Sequence, residues 1–328
     1  MSSQYKQQIC SNIEQAIQNS IQKNGNKKSE PEYIADLTIF LPQNLASALN
    51  QNGNNKSYHV TSCFIHQKPI VRFLGHIYAS YKKPELGDLL LLYKEKSIDG
   101  SEKHNAILLQ AKKGSSTKPK KIKEKHQLTL YTKWPIFEYF RGKNTSKTNL
   151  DGATRFIYPP ETHSGAQYLI IDEKTKPTSF FCAEPNTKIV ATNSLAEVIF
   201  DLTHFQTGRV FELLSPNCHN CSGDFIQHCH HIHSDDYCYG WTRIINDLIS
   251  LLKTASFTLN SSNYNRMNDP HNLYSLLYSN QSVSDLCDDK KGNDENKEIH
   301  IDYKKGMGII FIECSDNEIG KEHRQEQS

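Results

Sequence analysis

Residues Pro84 to Lys113 read PELGDLLLLYKEKSIDGSEKHNAILLQAKK, and the fold turns on this stretch. Two apolar runs, Leu89 to Tyr93 and Ile107 to Leu109, flank a polar, Gly-containing connection from Lys94 to Asn105, the pattern of a β-hairpin. Asp88 opens the first strand, and Gln110 and Lys112 close the second. Side chains alternate along a strand, so Gln110 and Lys112 project on one face and Leu109 and Ala111 on the other. A carboxylate, an amide oxygen and an ammonium are thereby brought together. Polar ends on a buried hairpin can serve solubility alone, but these residue types suit a divalent metal acting on a phosphodiester. Such a metal takes hard oxygen ligands, and a nearby cation orients the attacking water or offsets charge developing on phosphate.

The stretch resembles the core of the PD-(D/E)xK nuclease superfamily, which has the restriction endonuclease-like fold. The resemblance matches Asp88 to the motif aspartate and Gln110-Ala111-Lys112 to the (D/E)xK element, in a QxK form similar to that of Mrr-like restriction enzymes. It implies Mg²⁺ or Mn²⁺ held by Asp88 and Gln110, with Lys112 placing the attacking water. A neutral amide binds magnesium less strongly than a carboxylate, and Glu85, three residues before Asp88, is the nearest carboxylate to compensate. Downstream, Lys125 to Phe140 reads KHQLTLYTKWPIFEYF; Gln127 and Tyr131 share a helix face, with Leu130, Trp134 and Phe137 as an apolar stripe beside them. This resembles the QxxxY motif of RecB-like nucleases, which implies that Gln127 and Tyr131 contact nucleic acid near the metal, with Lys113 beside them.

The net charge of +2 says little, but its distribution says more. From Lys94 to Lys147 there are 14 Lys or Arg against five Asp or Glu, a basic surround suited to a phosphate backbone. No apolar run reaches membrane-spanning length, and the first residues, MSSQYKQQIC, lack the apolar core of a signal peptide; a cytoplasmic protein is expected. Nine cysteines then point to reduced thiols or a metal site over a disulfide framework. Four of them, Cys218, Cys221, Cys229 and Cys238, lie among five histidines, and Cys218-x-x-Cys221 has the form of half a structural zinc site. The alternative is a variable loop with incidental cysteines.

Gln4 to Lys23 is expected to form an opening helix with Ile9, Ile13, Ile17 and Ile21 on one face. The resemblance to that superfamily, whose members often carry an acidic residue on an early helix, implies Glu14 and Glu32 as further candidate ligands, though solvent-facing roles suit both. Ile34 to Leu41 fits a strand or a short helix. His59 to Phe73 leads into the hairpin, and His66 and His76 are candidate phosphate or metal contacts or ordinary structural histidines. Gln167 to Asp172 and Ser179 to Ala183 are expected to extend the sheet, followed by a helix at Leu195 to His204, a turn at Phe205 to Phe211 carrying Arg209, and a helix from Trp241 to Thr254. Residues 279–298 are acidic and rich in Asn, and Met307 to Cys314 is a last strand.

The expected architecture is therefore α/β, a central mixed β-sheet flanked by helices. Residues 1–185 would form a restriction endonuclease-like core, and residues 186–328 a C-terminal helical extension packed on it and clipped by zinc. The expected function is metal-dependent hydrolysis of DNA, with restriction or anti-phage defence, and a defence-system protein partner, implied by the resemblance alone. Two other classes compete: a nucleic-acid-binding protein of the same fold without catalysis, favoured by Gln110, and a zinc-stabilised interaction protein, favoured by the Cys/His cluster.

Overall fold

The computed structural model describes residues 3–22, 28–51, 56–65, 69–140, 150–157, 163–213, 240–253 and 306–316. In chain order the elements are α1 (Ser3–Ser20), α2 (Glu30–Asn50), β1 (Lys56–Ile65), β2 (Val71–Phe73), a 3-10 turn (His76–Tyr78), β3 (Leu89–Lys96), β4 (Glu102–Lys113), β5 (Lys120–Lys121), α3 (Lys125–Lys133), β6 (Phe137–Tyr139), β7 (Thr154–Arg155), β8 (Ala166–Asp172), β9 (Ser179–Ala183), β10 (Lys188–Ile189), β11 (Asn193–Ser194), α4 (Leu195–Thr203), β12 (Arg209–Phe211), α5 (Trp241–Ser250), a 3-10 turn (Leu251–Lys253) and β13 (Met307–Asp316). The fold is α/β with a mixed central sheet between helices, as the hydrophobic patterning predicts.

The main sheet runs β1-β13-β3-β4-β8-β9-β11, with β12 paired to β4. β3 and β4 form the expected antiparallel hairpin, Leu89 opposite Leu109 and Lys96 opposite Glu102. Parallel pairs lie on either side of it, β13 with β3 and β4 with β8. Both β12 and β13 join strands of the first 185 residues, so one sheet takes strands from both sides of that position.

Alternation along the hairpin sorts its apolar residues into two cores. Leu89, Leu91, Ile107 and Leu109 pack beneath α1, α2 and α4. Leu90, Leu92, Ala106 and Leu108 pack beneath α3, α5 and the small sheet β2-β6-β7. α1 buries Ile9, Ile13 and Ile17 at four-residue spacing. α2 resolves the choice between strand and helix as a helix of 21 residues with Pro31 in its first turn, where the missing N–H costs nothing. Its start is fixed by Glu32, whose carboxylate accepts the Ser29 backbone N–H at 2.5 Å.

One expectation fails locally. The apolar stripe Leu130, Trp134 and Phe137 does not lie on a single helix. α3 ends at Lys133, Trp134 takes a left-handed backbone (φ 39°) with its N–H donating to the Leu130 carbonyl, and Phe137 belongs to β6. All three are nonetheless fully buried, so the apolar pattern reports the core correctly while misplacing the helix end. Phe205 to Phe211 is likewise more than a turn, because its last three residues pair with β4. No helix among the described residues is long and apolar enough to cross a membrane.

Candidate metal and nucleic-acid site

Asp88 is fixed by a short two-sided clamp. Pro69 to Val71 runs against Pro84 to Leu86, with Val71 N–H donating to the Pro84 carbonyl at 2.9 Å and Leu86 N–H to the Pro69 carbonyl at 2.8 Å. Gly87 follows; a Cβ there would lie 2.6 Å from Leu108 Cδ1, so only a residue without a side chain passes this close under the sheet. Asp88 then donates its N–H to the Leu109 carbonyl and accepts the Gly308 N–H on its own carbonyl, both at 2.9 Å. Three strands, β3, β4 and β13, thus hold one backbone unit.

The Asp88 side chain projects to the α3 face, as does that of Gln110 across the hairpin; they are 5% and 4% exposed. The Gln110 Nε2 donates to Asp88 Oδ2, which also accepts the Ala111 backbone N–H at 2.8 Å. Gln110 Oε1 is buried with no hydrogen-bond partner among the described residues. Lys112, half-buried, continues the same face at the end of β4. Its charge reaches Glu124 and His126 at the start of α3. Burial pushes Glu124 up, but its own backbone hydrogen bond, Lys112, His126 and Lys120 outweigh this and hold its carboxyl below the usual range. His126 is pulled below its ordinary value by burial first, then by Lys82 and Lys112, against the opposing charge of Glu124.

α3 presents Gln127 and Tyr131 to this face, both buried. Tyr131 donates its hydroxyl to the Leu86 carbonyl at 2.9 Å, tying the helix to the segment that carries Glu85 and Asp88. Burial raises the Tyr131 phenol well above its ordinary value, and the charges of Asp88 and Glu85 add to that, with Tyr168 between them in size. Glu85 is half-buried beside Asp88 within this clamp. Gln127 Nε2 and the Tyr168 hydroxyl join Gln110 Oε1 as buried polar atoms with no partner among the described residues. Tyr168 stands next to Gln110 in the β4–β8 pairing, and its ring lies 5.6 Å from that of Tyr131. Buried polar groups are rarely left unsatisfied, and three such atoms lie on the α3 side of the sheet.

The other predicted residues lie elsewhere. Lys113 projects to the opposite face, where its ammonium pairs with Glu173 at 2.6 Å and its N–H donates to Glu30. Glu32 caps α2, and Glu14 accepts from Gln18 on α1, so both lie with the helices on the far side of the sheet from Asp88. His76 is exposed in its 3-10 turn. His66 and the cysteines Cys218, Cys221, Cys229 and Cys238 lie outside the described residues. Sequence reasoning missed Tyr168 and Glu124. Glu124 carries a local signal, as an acidic residue at a helix start; Tyr168 carries none, because strand register alone brings it to Gln110.

Comparison with protein-family models, with curated proteins and with solved structures finds no match.

Whether these residues suit a divalent cation is a question of donor chemistry. Among the described residues no three or more His, Cys, Asp or Glu side chains gather to hold a metal ion. Magnesium does not require such a group, since it is commonly held through one or two carboxylates and keeps several waters. Asp88, the unpartnered Gln110 Oε1 and the nearby Glu85 are hard oxygen donors of that kind. The donor set therefore fits Mg²⁺ or Mn²⁺ and is poor for a soft metal.

Proposed function

We propose that this chain is a metal-dependent nuclease that hydrolyses phosphodiester bonds of DNA at the Asp88 face. The observation that supports it is that Asp88 and Gln110 are paired, with Lys112 following on the same face, on the side of the sheet where α3 buries Gln127, and that Gln110 Oε1 and Gln127 Nε2 lack partners among the described residues. Asp88 and Gln110, with Glu85 nearby, would hold Mg²⁺ or Mn²⁺; a cation there supplies Lewis acidity and charge neutralisation at the scissile phosphate. Lys112 sits at the solvent edge of the same face, where its ammonium positions the attacking water or offsets charge on the phosphate. Gln127 acts as a positioning residue, because its amide nitrogen has no exposed surface. Tyr131 acts as a positioning residue, because its hydroxyl is engaged with Leu86 and its ring has no exposed surface.

The test is cleavage of supercoiled, linear duplex and single-stranded DNA, and of RNA, by purified protein with Mg²⁺ or Mn²⁺. Asp88→Ala is run beside wild type. The proposal expects metal-dependent cleavage that the variant loses while keeping its fold. Cleavage that persists undiminished in the variant would move the site elsewhere. A second function, nucleic-acid binding without cleavage, is favoured by one feature: Asp88 Oδ2 already accepts two hydrogen bonds within the protein. Binding with no cleavage under any metal would select it.

A further inference from the structure

The Pro69–Val71 and Pro84–Leu86 pairing that fixes Asp88 also closes the base of a loop, and the outer part of that loop, Gly75 to Lys83 (GHIYASYKK), is built unlike an ordinary surface turn. Gly75 starts it at φ 106°, a conformation that side chains other than glycine rarely adopt. A 3-10 turn follows, closed by Tyr78 N–H to Gly75 and Ala79 N–H to His76. Tyr78 and Tyr81 fold inward as an edge-on aromatic pair against Phe73, with centroid distances of 5.4 to 6.2 Å, so the loop is anchored in the core beneath it. Ile77 points the other way and is 78% exposed, the highest value among the exposed large apolar residues described.

The charge of the loop is one-sided. His76, Lys82 and Lys83 are exposed, and no Asp or Glu occurs between Gly75 and Lys83. Lys83 is held with its ammonium 3.1 Å from the centre of the Phe140 ring. Lys82 and Lys83 lead directly into Pro84–Leu86, the segment that Tyr131 of α3 ties down through the Leu86 carbonyl and that carries the chain into Asp88. An outward apolar tip on a core-anchored, cationic support thereby adjoins the candidate site.

We infer that Gly75–Lys83 is a single-strand-binding arm, in which Ile77 wedges against unpaired bases while His76 and Lys82 meet the backbone phosphates. Charge complementarity selects a polyanion, and the wedge selects single strands over duplex. Apolar side chains that enter a duplex must unstack paired bases at a cost of a few kcal/mol, whereas a single strand already offers open base faces. The arm deepens the nuclease proposal by naming its substrate class, and it rests on that proposal only for the chemistry that follows binding.

The test is fluorescence anisotropy in EDTA, where no cleavage occurs, with labelled single-stranded DNA, single-stranded RNA and duplex DNA of about 20 nucleotides, enough to exceed one site. Wild type, Ile77→Ala and Lys82→Glu are compared, each checked for native secondary structure by circular dichroism. Wild type is expected to bind single strands better than duplex. Ile77→Ala should weaken single-strand binding about tenfold, the scale of the apolar groups it removes from contact with a base, with a smaller effect on duplex. Lys82→Glu should weaken binding to both and flatten its salt dependence. Wild-type binding to no single strand, or unchanged binding by Ile77→Ala and Lys82→Glu, overturns the arm. The two proposals fail separately: cleavage with arm-independent binding removes the arm and leaves the nuclease, while arm-dependent binding without cleavage in Mg²⁺ or Mn²⁺ does the reverse.

Discussion

Gln110 faces Asp88 across the β3–β4 hairpin and donates its amide nitrogen to the same carboxylate oxygen that accepts the Ala111 N–H. The two side chains form one buried polar unit, and its remaining amide oxygen is buried as well, with no partner among the described residues. The arrangement suits the protein without a cation: a carboxylate buried at the edge of an apolar core is held by two N–H donors. It also leaves one hard oxygen without a protein partner among the described residues.

Tyr131→Phe removes the hydroxyl that ties α3 to the Leu86 carbonyl, two residues before Asp88. The ring is fully buried and its packing is kept, so the loss of stability should be about 1–2 kcal/mol, the scale of one buried hydrogen bond. Under the nuclease proposal kcat should fall while single-strand affinity holds. Urea unfolding and steady-state cleavage check the two halves. A variant as stable and as active as wild type would remove Tyr131 from the positioning role.

Gly308→Ala tests the strand that grips Asp88 from the other side. A Cβ at Gly308 would lie 2.1 Å from Thr38 Oγ1 and 3.1 Å from Leu89 Cδ1. Thr38 is fully buried and its hydroxyl already donates to the Ile34 carbonyl, so the added methyl must push α2 off β13. Overpacking of this kind costs about 1–3 kcal/mol. A thermal melt reads it directly; an unchanged midpoint would mean that α2 and β13 part freely.

The hairpin and α1 are legible locally, because β3 and β4 carry unbroken apolar runs around a polar connection and α1 repeats isoleucine every four residues. The insertion of β13 between β1 and β3 is not, since a parallel pairing between distant segments leaves no mark on either one. α2 was ambiguous for another reason: it is buried on several sides, so its apolar residues do not resolve into one stripe. Trp134 ends α3 in a left-handed conformation usually taken by glycine, and no residue type announces that stop. Lys113, expected beside Gln127 and Tyr131, lies apart from them, because the alternation that puts Gln110 and Lys112 together puts Lys113 on the other face, where Glu173 receives it. The pairing of Tyr168 with Gln110 required the register of β8 and could come only from the structure.

His163 and His104 make stability depend on pH below neutrality. Burial, with a smaller push from Arg209, lowers the His163 imidazole to about 3, and its ring lies between Trp134 and Trp241. Burial also lowers His104 to about 4, where Glu102 and Glu212 oppose the shift and Lys94 adds to it. Both are neutral in the folded chain at pH 5, while the unfolded chain binds protons there. Stability is therefore full above the ordinary imidazole value of 6.5 and falls as pH drops toward 4 and 3. Each such histidine contributes a slope of up to about 1.4 kcal/mol per pH unit in that window. Comparing urea midpoints at pH 7.5 and about 5, His163→Phe should show a smaller acid loss than wild type. An equal loss would place the proton uptake elsewhere.

Gln110→Glu brings the chemistry of the unit to a decision. The substitution removes the N–H that now faces Asp88 and sets a second carboxylate against it in a buried position. Two carboxylates in contact cannot both ionise there without a cation, so the introduced group's pKa must rise in the folded chain. A group whose folded pKa is raised stabilises most below its unfolded pKa and loses that contribution as pH rises through the folded one. Metal-free variant protein should thus be less stable than wild type at pH 7.5, with the gap closing toward about pH 4.5. If Asp88 and Gln110 are ligands, Mg²⁺ or Mn²⁺ should raise the variant's melting temperature more than that of wild type, since the cation binds only the folded chain. Cleavage should be kept or increased, because a carboxylate is the stronger hard donor. Gln110→Ala should gain no such thermal protection and should lose most of the cleavage. A Gln110→Glu protein whose melting temperature ignores both metals would show that Asp88 and position 110 hold each other and nothing else.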